Sequence, residues 1–187
     1  MGTFHKAFVS GENIEAVKLT IGKYYNIINE EIDNLEQEWR FGDRGSDTIV
    51  LSSEFNYNWV AITFYSNTFY FHDELLRRIS RDLETEILLG YYQSTSGEGR
   101  LARFVNGSLE LSIIQSYVKL RDEAMYLLMD NWGVTAELKT EFSIPGFKEN
   151  FIEIDKDTIY KFYKKFGLEW DGLNRDNQQY HHLEIKY

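Results

Sequence analysis

Asn106-Gly107 sits between two runs of strand-forming residues, Arg100-Leu101-Ala102-Arg103-Phe104-Val105 and Ser108-Leu109-Glu110-Leu111-Ser112-Ile113. A two-residue turn of this kind needs positive φ at both central positions, which Asn and Gly accept more readily than other residues, and its twist matches that of paired strands. The dipeptide therefore predicts a hairpin over residues 99–113. A hairpin makes at least part of the sheet antiparallel, and the short connections around it leave no room for the repeated helical crossovers of a doubly wound parallel fold.

The remaining elements follow from periodicity and punctuation. Residues 3–9 form a short first strand that turns at Ser10-Gly11. Ile14, Val17, Ile21, Tyr25, Ile28, Ile32 and Leu35 then recur at three or four residues, the pattern of one apolar stripe on a helix of about 25 residues with Trp39 at its end. Gly22 and its β-branched neighbours weaken the middle of that run, so a strand or a kink there is the competing reading. Residues 48–53 and 59–65 are strands, the second apolar on both faces and so central in the sheet. A short amphipathic helix over residues 74–82 carries Leu75, Ile79 and Leu83 on one face, and residues 86–92 return to extended structure. Lys119–Asn131 is expected to be helical with Leu120, Ala124, Leu127 and Leu128 inward, ended by Gly133. Asp155 and Asp157 before Ile159, with Lys164, Lys165 and Gly167 after it, mark a helix whose charges complement its dipole at both ends. The polar tail closes on a short alternating piece, an edge strand or a frayed terminus. These readings give an α+β fold: a mixed or mainly antiparallel sheet with helices packed on one face, plus a C-terminal helical annex. It is expected to form one domain over 1–187, with a sheet-and-helix core in 1–117 and a packed extension in 118–187.

Charge and composition narrow the functions. The 20 Lys and Arg residues against 30 Asp and Glu leave a net charge of −10. Such a field repels nucleic acid and anionic membrane, so neither is expected as a partner. With no Cys, disulfides, thiolate zinc sites and thiol nucleophiles are excluded. The first residues lack the basic-then-apolar pattern of a signal peptide, and no run approaches the roughly 20 apolar residues that span a bilayer, so a cytoplasmic protein is expected.

Catalytic patterns are missing. His5, His72, His181 and His182 lack the i, i+4 spacing of a helical zinc pair. In a strand, adjacent His181 and His182 point to opposite faces, and a surface pair is the expectation, with Glu184 the nearest further donor. No metal and no cofactor is expected. The loop Ser94-Thr95-Ser96-Gly97-Glu98-Gly99-Arg100 lacks the Walker spacing, and Glu98 would repel a phosphate. An enzyme would instead need a pocket in which carboxylates such as Glu54 or Asp73 meet an aromatic wall and carry strongly shifted pKa values.

The chain is accordingly expected to be a non-enzymatic binder. Glu30, Glu31, Asp33, Glu36 and Glu38 fan over the solvent face of the long helix, a field that would orient a basic protein. The expected binding residues are Glu30, Glu31, Glu38, Trp39, Phe41 and Asp43, the aromatic pair anchoring what the carboxylates attract. The competing surface is the 93–100 loop with the hairpin face, where Tyr91, Tyr92, Glu98 and Arg100 form a Tyr-rich patch of both charge signs.

Trp59-Val60-Ala61-Ile62, Ile79-Ser80-Arg81-Asp82-Leu83-Glu84-Thr85-Glu86-Ile87 and Arg103-Phe104-Val105-Asn106-Gly107 together resemble small bacterial immunity proteins of polymorphic toxin systems. The resemblance covers residues 59–107. It implies a cytoplasmic protein that binds and occludes a toxin domain, with a basic toxin the fitting partner for an acidic chain. A structural or regulatory interaction domain is the alternative reading, and a small-molecule enzyme the third.

Overall fold

The computed structural model describes residues 3–34, 47–54, 58–65, 72–93, 98–120, 123–132, 154–169 and 178–186, with backbone alone for Thr3, Glu54, 115–120 and 123–132. In chain order the elements are β1 (Thr3–Ser10), α1 (Ile14–Gly22), β2 (Asn26–Asp33), β3 (Asp47–Glu54), β4 (Trp59–Phe64), α2 (Asp73–Asp82), β5 (Glu86–Gln93), β6 (Glu98–Val105), β7 (Ser108–Leu120), β8 (Glu123–Trp132), α3 (Lys156–Lys165) and β9 (Tyr180–Lys186). The strands form one nine-stranded sheet in the order β2-β9-β3-β4-β1-β5-β6-β7-β8. Each neighbouring pair is antiparallel.

The Asn106-Gly107 hairpin forms as its turn chemistry requires. Val105 pairs with Ser108, and Asn106 and Gly107 take φ of 49° and 81°. A Cβ at Gly107 would also lie 2.6 Å from the Arg81 Cβ, so the turn is pressed against the end of α2. The Ser80 hydroxyl accepts from the Gly107 N–H at 3.1 Å and donates to the Thr85 carbonyl at 2.7 Å, which ties turn, helix and β5 together.

The sheet is covered on both faces. Odd-numbered β1 residues face α1 and α2, where Ala7 and Val9 join Val17, Ile21, Leu76 and Ile79 in one core. Even-numbered β1 residues face α3, where Phe8 packs with Leu101, Ile159, Phe162 and Tyr163 in a second core. Strand β4 is buried at every position, as its two-sided apolarity predicts. Helix α3 begins at the N-cap Asp155, whose carboxylate accepts from the Thr158 N–H at 2.7 Å, and Gly167 follows its end with φ of 87°. It packs closely because β5 has no side chain at Gly90, where Ile159 and Tyr163 press against the backbone, and the Tyr163 hydroxyl donates to the Lys6 carbonyl at 2.9 Å. Burial pushes the Tyr163 pKa well above the ordinary phenolic value. Among the described residues no helix is long and apolar enough to cross a membrane.

Three sequence expectations need correction. The long helix stops at Gly22: Lys23 and Tyr24 turn the chain, and residues 26–33 run back as β2 against β9. The apolar spacing of Ile28 and Ile32 suits a helix, but both are β-branched, and pairing with a distant strand outweighs local periodicity there. Helix 119–131 is absent: β7 extends to Leu120, and β8 pairs along it, with Tyr117 opposite Tyr126 and Val118 opposite Met125. The C-terminal piece is neither an edge nor frayed, since β9 lies between β2 and β3.

Candidate functional site

Strand β2 ends the sheet, and among the described residues no strand pairs with its outer side. Asn26, Ile28, Asn29, Glu30, Glu31 and Ile32 are all exposed, and Ile28 and Ile32 leave 42% and 57% of their surfaces open. A bulge at Ile28 shifts the register against β9, giving Ile27 opposite Ile185 and then Asn29 opposite Glu184. Among the described residues the edge thus presents an outer side with no strand partner, two exposed isoleucines and carboxylates on one strand.

One flank of this edge carries a charged network. The Asn13 side chain caps α1 by accepting from the Ala16 N–H at 3.0 Å, which places Glu15 and Lys18, three residues apart, along the β2 side of the helix. The Lys18 ammonium donates to Glu15 Oε1 at 2.9 Å and to both carboxylate oxygens of Glu30 at 3.0 and 3.2 Å. From β9, His181 Nδ1 meets Glu30 Oε1 at 3.0 Å; a carboxylate can only accept, so Nδ1 carries the proton. Burial works to raise the Glu30 pKa, but hydrogen bonds from His181 and Lys18 outweigh it and hold the carboxyl below its ordinary value. Hydrogen bonding to Glu15, joined by Glu30, raises that of Lys18 against desolvation. Glu15, Glu30 and His181 each offer a donor atom within 4.8 Å of the others, a set that could hold a metal ion.

A second polar cluster lies in the interior. Register brings Phe64, His5, Tyr91 and Arg100 into one row across β4, β1, β5 and β6, on the face that α2 covers. His72 and Asp73 enter this row from the start of α2, with His72 stacked on Phe64 at 4.1 Å and His5 5.5 Å from His72, centroid to centroid. Arg100 forms an ion pair with Asp73. Among the described residues neither ring nitrogen of His5 has a hydrogen-bond partner, although the residue is buried. Burial first, then the nearby His72 and Arg100 charges, drives the His5 pKa well below its ordinary value. Burial lowers that of His72 to about 4, against the pull of Asp47. Asp73 shifts upward because desolvation outweighs Arg100.

The structure distributes the predicted site residues unevenly. Glu30 and Glu31 sit on an exposed strand edge rather than on a helix face. Glu38, Trp39, Phe41 and Asp43 lie outside the described residues, as do 94–97 of the competing surface. Tyr91 and Arg100 of that surface are buried in the interior row, and Tyr92 and Glu98 are half-buried, so the Tyr-rich patch is not an exposed one. His181 and His182 face opposite sides as strand geometry requires, but both are buried, because β9 is interior. Glu15 and Lys18 escaped the sequence reading, and His181 entered it only beside His182 and Glu184, not with Glu30. The spacing of Glu15 and Lys18 was the one local signal; His181 reaches Glu30 only through pairing across 151 residues.

No protein-family model, curated protein or solved structure matches the chain.

Proposed function

We propose that the protein is a non-enzymatic interaction domain that adds an extended, cationic segment of a partner protein to the outer side of β2. The observation that carries this reading is the edge itself: among the described residues no strand pairs with the outer side of β2, and Glu30, Glu31, Ile28 and Ile32 lie exposed along it. Strand addition draws affinity from main-chain hydrogen bonds and specificity from alternate side chains, and natural proteins limit such pairing with charged side chains, prolines or bulges, so that a partner must match the charge of the edge. Here the edge carries carboxylates, and the chain's net charge of −10 favours a basic segment. Neutralising a basic toxin domain is a specific form of this role. The resemblance to immunity proteins supports only its scaffold, because Trp59, Val60, Ala61, Ile62, Ile79 and Ile87 are core residues and none lies on β2. The Asp73 cluster is better read as internal: its carboxylate is committed to Arg100 and its imidazoles are packed against aromatic rings.

The test uses a peptide of alternating lysine and valine, about ten residues long, enough to span a strand. Saturable binding that weakens at high salt and drops at least about fivefold in Glu31→Lys supports the reading, since exposed charges are screened beyond about 8 Å at physiological ionic strength. No saturable binding, or equal affinity for the alternating glutamate and valine peptide, would overturn it.

A further inference from the structure

We infer that Glu15, Glu30 and His181 form a binding site for a divalent transition ion such as Zn²⁺, gated by the Lys18 ammonium. The donors come from three separate elements, α1, β2 and β9, and still converge within 4.8 Å of one another. Two carboxylates and an imidazole are a mixed oxygen and nitrogen set, which suits Zn²⁺ and its neighbours better than Mg²⁺ or Ca²⁺, whose sites are built from oxygens. His181 is 8% exposed, so packing in an interior strand fixes its ring, whereas Glu15 is an exposed side chain able to adjust. Metal-to-donor bonds of about 2.1 Å in a tetrahedron place the donors roughly 3.4 Å apart, so closure from the present spacing is a matter of side-chain rotation.

Lys18 occupies the space that an entering ion would take. Its ammonium bridges Glu15 and Glu30 within 3.2 Å of both, so the position between the carboxylates already binds positive charge. A flexible four-carbon stem lets the ammonium leave for solvent, and its charge competes with any ion that enters. Binding a divalent ion therefore requires Lys18 to swing aside and the Nδ1 proton of His181 to pass to solvent or to Nε2, so that Nδ1 offers its lone pair. The inference does not rest on the docking proposal: the two share Glu30, but that proposal uses the outer side of β2 and this one uses the contacts of Glu30 with α1 and β9.

Lys18→Met separates a gated metal site from a purely structural ion-pair network. The full chain, free of affinity tags, is titrated with Co²⁺ and Zn²⁺ by calorimetry and by the Co²⁺ absorption bands that report nitrogen and oxygen ligation. The expected result is one equivalent bound by the natural protein and at least about tenfold tighter binding in Lys18→Met, the effect of removing one charge about 4 Å away in a largely aqueous setting. Glu15→Gln combined with Glu30→Gln should weaken binding at least about tenfold, with the fold checked by circular dichroism. Binding by Lys18→Met that is no tighter than by the natural protein would overturn the inference. So would binding retained in full by the Glu15→Gln, Glu30→Gln variant, because the ion would then sit on other histidines. The Lys-Val peptide assay, run with chelator present, reads the docking proposal independently.

Discussion

The His5 and His181 clusters are assembled from the same kinds of side chain, imidazole, carboxylate and a basic group, and the sheet treats them in opposite ways. His5 lies in the middle of the strand order, under α2, where water is excluded and the imidazoles of His5 and His72 are held neutral by burial. His181 lies one strand from the edge, where Glu30 and Lys18 keep their charges and satisfy each other. The same residue type, histidine, is thus desolvated in the middle of the sheet and paired with a carboxylate near its edge. The interior cluster is buried with the core, and the edge cluster lies where the proposed partner or ion would reach it.

The contrast can be broken most forcefully from the centre. Phe162 is fully buried between α3 and the sheet, so Phe162→Ala should cost about 3–5 kcal/mol in urea unfolding at neutral pH. A loss below about 1 kcal/mol would mean that α3 does not complete the core as described.

Acid should expose the interior cluster next. The His72 pKa is about 4 in the folded protein against an ordinary 6.5, so the unfolded chain binds more protons between these values. Stability is therefore fully present above pH 6.5 and falls as pH drops toward 4, by about 3 kcal/mol from His72 alone. His5, depressed in the same direction, adds to the loss, whereas Asp73, whose pKa is raised, opposes it. Urea midpoints measured at pH 7 and pH 4.5 check the sign, and a midpoint that is unchanged or higher at the lower pH contradicts it.

The smallest effect belongs to the edge. Glu30→Gln removes a carboxylate that is 31% exposed from its contacts with Lys18 and His181. Solvent screening limits the cost to under about 1 kcal/mol at neutral pH. A loss as large as that of Phe162→Ala would sharpen the comparison in the wrong direction, making the edge network a structural keystone.

Legibility in the sequence followed the range of the deciding interaction. The Asn106-Gly107 hairpin, the buried β4 strand and α3 with its Asp155 cap could be read, because a turn, an alternation or a cap is specified within a few residues. Strand β2 entered only through the competing reading of a strand or a kink at Gly22, because Ile28 and Ile32 satisfy a helical spacing and only β9, some 150 residues later in the chain, makes them a strand. The same holds for β8, whose Ala124, Leu127 and Leu128, together with Leu120 at the end of β7, suit a helix until β7 and β8 pair. Glu30 and Glu31 were legible as a charged surface, but the Lys18 bridge and His181 required register across the sheet. The interior row of His5, Phe64, Tyr91 and Arg100 was hidden for that reason too: four strands must be aligned before those residues meet.

The central claim is that the outer side of β2 is a docking edge, and the most direct measurement is residue-by-residue NMR of backbone amides during titration with the Lys-Val peptide. The account predicts saturable shifts and slowed amide exchange confined to residues 26–33 and their β9 neighbours. A peptide with alternating N-methylated amides, which keeps the charge but cannot complete the ladder, should abolish both. Equal shifts with the N-methylated peptide, or responses centred on β8 or the 106–107 turn, would contradict it.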